Sequence, residues 1–589
     1  MILLAMHNSV FFRNVCPKNC FRQRTVGPTF LLLLEFCKSL ILSIFLFFPL
    51  SLFCLSFSDP GSSEELAAAI EAAMSDEQAL AQTFMLGWVG SEPSPLIMDW
   101  IRMRNIGGVK IFGWNTEDTM RLAKTVGSLQ EESLKGHFGI PLLVATDQEG
   151  GWIRHVKGST SETPGNMAIG ASGYPRDAYL AGYYIGQELA LLGININFAP
   201  TVDLFTNRRS ALIGPRAFGN NPANVGILGA AFMRGQQAAG VIPTAKHFPG
   251  HGGTDLDSHG VLPTIDVSFE TLWDRELVPY RMLVAEGLPA LMSGHIAFPG
   301  TKATSGRPDA AAPASLSSWF LQDILRGRMG YQGIIITDDL MMNGATQWAG
   351  SLSRTAKQAL LAGNDIILFS KTPNLYDPVW TLLSTSMRDD SEFRQRVRDA
   401  ARRTLLVKLR YLRSKQTPSF IPDLEKVEAG LSTPEGAAFF LNLAARSATI
   451  VKPPQGEGGI FPVRPENAGR VLLTGQYLDF FKVGRAAFPG SISYWYSEEF
   501  DINDLLSYAS RADTIIFCLS DTEGVRTLRN LRSLGKKIIV LSVLSPVHLE
   551  SVPWVDGAVA VYNDALESLA AGFSVITGRI PARGRLPYE

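Results

Sequence analysis

Between residues 84 and 371, eight short apolar runs alternate with segments of helical periodicity. This alternation predicts a closed (β/α)8 barrel of parallel strands, followed by a smaller α/β sandwich domain. Two further observations support the barrel. The runs are continuously apolar, as expected of strands covered by helices. Polar groups (Asp147, Asp203, Lys246 with His247, His295 and Asp338) follow their runs at once, on the face where a barrel assembles its site. An open doubly wound sheet is the rival architecture, but it would not gather residues from so many strands.

The strand candidates are residues 84–89, 108–112, 142–146, 194–199, 241–245, 290–293, 334–337 and 365–369. Helical patterns such as 177–192 and 223–239 lie between them. Eight units in roughly 290 residues suit a fold that typically takes ~250. A helical tail, 392–412, closes this unit, so the barrel domain is expected to span 59–412. Residues 413–442 are mixed and contain proline, and read as a linker or connecting helices. From 443 to 589 further apolar runs (448–451, 471–474, 491–496, 514–520, 537–543 and 558–562) alternate with helical stretches such as 524–534, giving the second domain.

A chain of 589 residues is too long for one ordinary domain. With 46% hydrophobic and 19% charged residues it is globular, and its net charge of −1 gives no basic excess of the kind that binds nucleic acid. The start of the chain differs from the rest. Arg13, Lys18, Arg22, Arg24 and Lys38 precede an uncharged apolar run, 39–57, and small residues at Ser56 and Ser58 suit cleavage before Asp59. Residues 1–58 therefore read as an export signal, and an uncleaved membrane anchor is the rival because the run is near the ~20 residues that span a bilayer. Lipidation of Cys54 is the weaker third reading, since Phe53 stands where a lipobox takes a small residue. The expected location is periplasmic, cell-surface or membrane-anchored. Four of the five cysteines lie in this leader, and Cys518, in an apolar strand, reads as a core residue.

The chemistry concentrates in Lys246-His247-Phe248-Pro249-Gly250-His251-Gly252-Gly253-Thr254-Asp255-Leu256-Asp257-Ser258-His259. Three of the eight histidines fall there, among glycines and a proline that exclude a continuous helix, so it reads as a loop at a strand end. A second segment, Gly333-Ile334-Ile335-Ile336-Thr337-Asp338-Asp339-Leu340-Met341-Met342, is a β-branched run that ends in paired aspartates. Both aspartates as helix caps are the structural alternative. A metal site is the sharper competitor at the first segment, because its histidines and carboxylates are all ligand types. No pair, however, has the His-x-x-x-His spacing on an unbroken helix that zinc sites use.

Together these segments resemble the β-N-acetylhexosaminidases of glycoside hydrolase family 3, over roughly residues 80–412. The first carries the pattern Lys-His-Phe-Pro-Gly-His-Gly followed by Asp-x-His, and the second Thr-Asp-Asp-x-x-Met. The resemblance implies that Asp338 is the nucleophile and His259 the general acid/base, oriented by Asp257, while Asp339 turns away to a structural contact. Imidazole titrates near neutrality and can both give and take the proton. A role for Asp257 and His259 in bracing the loop is the alternative. The resemblance further implies substrate contacts from Asp147, Arg216, Lys246 and His247, with His251 shaping the loop. Each has a bland alternative as a cap, a loop salt bridge or a core hydrogen bond. One position departs from the family: where it usually carries arginine, eight residues after Asp147, this chain has His155, with Arg154 just before it. Either Arg154 substitutes by a local shift, or that sugar contact is altered.

The implied activity is exo-acting, retaining hydrolysis of terminal β-linked N-acetylglucosamine, from cell-wall muropeptides or chitin fragments. It proceeds through a covalent glycosyl-enzyme and needs no cofactor or metal. A family 3 β-glucosidase, an N-acetylglucosaminide phosphorylase and a catalytically silent glycan-binding surface protein are the alternatives. Retained Asp257, His259 and Asp338 argue against the last.

Overall fold

The computed structural model describes residues 55–588, apart from 211, 259, 415, 416, 418, 453–459, 498 and 499. Residues 1–54, which make up most of the expected export signal at 1–58, and His259 therefore lie outside the described residues.

The strands are, in order, β1 (Phe84–Gly87), β2 (Gly108–Lys110), β3 (Leu143–Thr146), β4 (Gln148–Gly150), β5 (Ile153–Arg154), β6 (Ile196–Asn197), β7 (Ile242–Phe248), β8 (Ala290–Ser293), β9 (Ile334–Asp339) and β10 (Ile366–Phe369). Except for β4 and β5 they close into one barrel, in the order β1-β10-β9-β8-β7-β6-β3-β2, with every pair parallel. This is the predicted barrel.

Alternate residues of a barrel strand face opposite sides. Met85, Leu143, Ala145, Ile196, Ile242, Met292, Ile334, Ile336 and Leu368 belong to one apolar cluster that fills the interior. Leu86, Val109, Val144, Ile335 and Ile367 belong to another, which packs the barrel's outer surface against the helices. The helix Ser63–Ala73 contributes Leu66 and Ile70 to the interior cluster, and the helix Ser391–Tyr411 contributes Leu405 and Leu409, so these two helices stop the lower end.

Two local features differ from the sequence reading. Strand β7 runs on through Phe248, with Phe248 opposite Ser293 across a shift in register, so Lys246 and His247 end a strand and do not begin a loop. Continued pairing with β8 holds them there, which apolar content alone does not reveal. The other feature is the antiparallel hairpin β4–β5, where Gln148 pairs with Arg154 around Gly150 and Gly151. Both glycines take the left-handed backbone (φ 92° and 65°) that side-chain-bearing residues rarely adopt. Its polar sequence hides it from a search for apolar strands.

After the barrel come helices Leu424–Gly430 and Pro434–Ser447. Phe439, Phe440 and Leu443 of the latter enter the barrel's outer core, while its Ala444 enters the core of the second sheet, so one helix serves both. That sheet contains β11 (Thr449–Lys452), β12 (Val471–Gly475), β13 (Ile492–Trp495), β14 (Thr514–Leu519), β15 (Lys537–Ser542) and β16 (Gly557–Ala560). Its order is β11-β16-β15-β14-β12-β13, parallel except for β11. Separate apolar clusters cover its two faces, which makes the layered α/β sandwich, and Cys518 is buried in one of them.

Asp365, just before β10, ties the barrel's lower face together. One oxygen accepts from Arg326 (2.6 Å) and the Ile335 amide (2.9 Å), and the other from Arg396 (3.0 Å) and Arg403 (3.1 Å). Removing a fully buried carboxylate leaves these guanidinium groups facing one another without a counter-charge. Asp365→Ala is therefore expected to destabilise the fold by about 3–5 kcal/mol, read from the urea midpoint at unchanged slope. A loss below about 1 kcal/mol would show that solvent supports these arginines instead.

Candidate active site

The inward phase of four strands delivers the site. On β2, Lys110 lies two residues beyond Gly108, whose missing side chain makes room for Met85 and Leu143 of the interior. Asp147 continues the series Leu143, Ala145, Lys246 continues Ile242, and Asp338 continues Ile334, Ile336. At the mouth, apolar filling gives way to charge.

These charges form one connected chain. Buried Lys110 donates to Asp147 Oδ2 (2.8 Å) and to the Ile111 carbonyl (2.8 Å). Lys246 bridges Asp147 Oδ1 and Glu149 Oε1, the latter at 2.6 Å. Glu149 receives Arg216 through both carboxylate oxygens, at 2.7 and 2.9 Å, a two-pronged pairing that suits the flat guanidinium. Arg216 Nη2 lies 3.3 Å from His247 Nε2, and His247 Nδ1 lies 2.7 Å from Asp203 Oδ2. A guanidinium only donates and a carboxylate only accepts, so His247 carries its proton on Nδ1. Asp203 also accepts the backbone amide of His251 (2.7 Å).

For Lys110, Asp147, Lys246 and Glu149 burial is the largest influence, and the neighbours decide the outcome. It would raise Glu149, but Arg216 and Lys246 bring that carboxyl down to about 2. Burial would likewise raise Asp147, yet Lys110, Lys246 and His155 hold it well below the ordinary range. Lys246 rises despite burial because two carboxylates face it, whereas burial lowers Lys110 against the pull of Asp147.

Asp338 and Asp339 part company at the end of β9. Asp339 turns outward, and its Oδ1 accepts the amides of Met341 and Ser370, both at 3.0 Å. Asp338 stays on the inward phase with its Oδ1 accepting the Asp339 amide (2.8 Å). Burial pushes its carboxyl up, but His247, His295, that amide and Lys246 outweigh it and hold the group below its usual value. His295 is fixed by Ser315 (2.8 Å) and by the Asp339 carbonyl (3.0 Å). Asp338 is therefore an ionised, half-buried carboxylate on the inward phase of β9.

The structure decides the question at residue 155. Arg154 turns to the Thr160 carbonyl (3.1 Å) and Glu162 (3.3 Å), because its pairing with Gln148 points it away from Asp147. His155 holds the position instead, with Nδ1 3.3 Å from Lys110 Nζ and 3.7 Å from Asp147 Oδ2. Lysine only donates, so Nδ1 accepts and the ring proton sits on Nε2. Burial and Lys110 bring this imidazole down to about 4.

Asp147, Arg216, Lys246, His247, His155 and Asp338 are thus gathered at one mouth. Asp257 lies on the exposed loop beyond β7, and His259 lies outside the described residues. Two members of the charged chain were not singled out from the sequence. Lys110 was signalled as a lysine inside an apolar strand on the inward phase, and Glu149 as an acid two residues after Asp147.

Fold and site together define the class: a closed, parallel eight-stranded (β/α)8 barrel whose mouth presents paired cations, carboxylates and imidazoles. Residues 78–407 match the glycosyl hydrolase family 3 N-terminal domain, and the chain belongs to that family. It is 36% identical over 285 residues to "Beta-hexosaminidase A" of Pseudoalteromonas piscicida, covering 46% of this chain and 47% of that protein. The chain thus spans about half the length of that relative. "Beta-N-acetylglucosaminidase/beta-glucosidase" of Cellulomonas fimi is 27% identical over 88% of this chain and 94% of its own length. Among solved structures, a family 3 β-N-acetylglucosaminidase from Paenibacillus sp. is similar at a TM-score of 0.71 and 28% identity, covering 88% of this chain and 99% of that one.

These depressed groups fix how stability depends on pH. His251, buried, is lowered to about 4 by burial and by His247, so the unfolded chain takes up its proton first and stability falls as pH drops from 6.5 towards 4. Glu149 stabilises the fold above its unfolded value of 4.5, and that contribution is lost as pH falls towards 2. Glu149→Gln is expected to flatten the segment between pH 4.5 and 2 while leaving the earlier one intact, followed by denaturant titration at each pH. An unchanged profile in the variant would remove Glu149 from the acid response.

Proposed function

We propose that the protein is an exo-acting, retaining β-N-acetylhexosaminidase that removes terminal β-linked N-acetylglucosamine. The observation that carries this reading is the ionised, inward-facing Asp338 beside the Asp147–Lys246–Glu149–Arg216–His247 chain. The carboxylate attacks the anomeric carbon, the glycosidic C–O bond breaks, and a proton passes from His259 to the departing oxygen. Water then attacks the same carbon, the ester bond to Asp338 breaks, and the water's proton returns to His259. The roles of His259 and of Asp257 beside it come from the family resemblance. Asp147, Arg216, Lys246, His247 and His155 are assigned to the sugar hydroxyls, where fixed charges replace water at no further ordering cost.

The Paenibacillus name supports N-acetylglucosamine as the sugar, and the Pseudoalteromonas name supports a hexosaminide more broadly. The Cellulomonas fimi name adds glucosides, which makes a glucoside the second substrate to test. We assign cell-wall muropeptides or chitin fragments as the natural source, with export directed by the N-terminal segment and membrane attachment as its alternative.

Hydrolysis of aryl β-N-acetylglucosaminide against aryl β-glucoside, each with and without phosphate, tests the class. Faster turnover of the amino sugar, independent of phosphate, is expected. Phosphate-dependent release of a sugar 1-phosphate would make the protein a phosphorylase. Asp338→Asn should lower turnover by roughly 10⁴-fold or more, as loss of a nucleophile does. NMR should find the β-anomer first among the products; an α-anomer appearing first would end the double-displacement mechanism.

A further inference from the structure

Arg216 and Asp203 reach the site from the long connection between β6 and the helix Pro222–Ala238. That connection is not packed by the barrel alone. Its Phe205, Ile213 and Ala217 are fully buried in a small apolar cluster shared with Tyr562 and Tyr588 of the second domain. Phe205 meets Tyr588 edge to face, with ring centroids 5.2 Å apart. Arg208 of the same connection lies over the Tyr588 ring at 5.4 Å and pairs with Glu550.

The last residues of the chain strap this cluster down through their backbone. The Arg585 amide donates to the Ala171 carbonyl (3.0 Å), and the Asn220 amide to the Pro587 carbonyl (3.2 Å). The approach is close enough that a Cβ on Gly219 would lie 2.3 Å from the Pro587 oxygen. Gly219 in turn accepts the Phe205 amide (2.9 Å), and Asn166 holds the Arg216 carbonyl (2.8 Å). The strap therefore reaches the guanidinium of Arg216 through a continuous series of contacts, and beyond it Glu149, Lys246 and His247.

We propose that the C-terminal strap, with Tyr588 as its anchor, is a positioning device for the sugar-binding Arg216, resting on the glycosidase reading above. Truncating the ring removes the far wall of the cluster around Phe205 and Ile213 and leaves their apolar surface open to water. The connection then loosens, and the site loses pre-arranged substrate contacts rather than its nucleophile.

The test uses the full chain and compares Tyr588→Ala with Tyr588→Phe by steady-state kinetics on aryl β-N-acetylglucosaminide and by amide hydrogen exchange over residues 204–219. Tyr588→Ala is expected to raise KM roughly tenfold with kcat within about twofold, the pattern of lost uniform binding, and to speed exchange in 204–219. Tyr588→Phe should match the parent in both readouts. Unchanged exchange in the alanine variant overturns the proposal, as does faster exchange with unchanged KM, or a fall in kcat at constant KM. A phenylalanine variant as impaired as the alanine one also overturns it, since the ring is the stated anchor. Should the alanine variant not fold, Tyr588→Leu carries the same comparison. If the parent shows no turnover of this substrate, the functional reading fails, while hydrogen exchange still decides whether the strap orders the connection.

Discussion

Burying several charges in one barrel mouth is tolerable only if each faces an opposite charge or a hydrogen-bond partner, and that requirement governs this molecule. A single unpaired ion in such surroundings costs several kcal/mol. The chain Lys110–Asp147–Lys246–Glu149–Arg216–His247–Asp203 meets the requirement by sharing: each acid lies against donors, Lys246 lies between two acids, and His247 accepts from Arg216 while donating to Asp203. Its members cannot be moved singly, which is why strands β2, β3 and β7 and the connection after β6 must hold mutual register. The arrangement is also pre-organised: the charged groups at the mouth are held in fixed orientation by one another.

Strand alternation explains why the second of two adjacent aspartates serves structure and the first faces the mouth. Ile334 and Ile336 fill the interior while Ile335 packs outside, so the inward phase must next present Asp338 and the outward phase Asp339. Asp339 then caps the turn and fastens the amide of Ser370 beyond the neighbouring strand β10. The same rule places Lys110 and Asp147. The inward-facing position of Asp338 is thus a consequence of barrel packing, and its ionised state is a consequence of the cationic groups that the same packing gathers.

The second domain is tied into this arrangement from the side. The helix Pro434–Ser447 belongs to both cores, and its Arg446 pairs with Asp177 of the barrel (2.6 Å). The cluster around Phe205 and Tyr588 completes the underside of the connection that carries Asp203 and Arg216. The barrel supplies Asp338 and most of the charged chain, and the interface with the second domain supports one end of that chain.

By itself the sequence determined the barrel, because continuous apolar runs separated by helical periodicity are a local signal with few alternative folds. It likewise determined that Asp147, Lys246, His247 and Asp338 sit at strand ends, since each directly follows such a run. Tertiary structure alone decided how these groups pair. That Lys246 bridges Asp147 to Glu149, that Arg154 turns away and leaves its place to His155, and that Lys110 supplies the cation beside them all depend on distances between strands remote in sequence. The polar hairpin β4–β5 and the end of β7 were hidden for a related reason: cross-strand pairing, and not composition, holds them. Pairing partners across a barrel leave no periodic trace in the chain, so local patterns specify the scaffold while the charge balance at its mouth emerges only once the strands close.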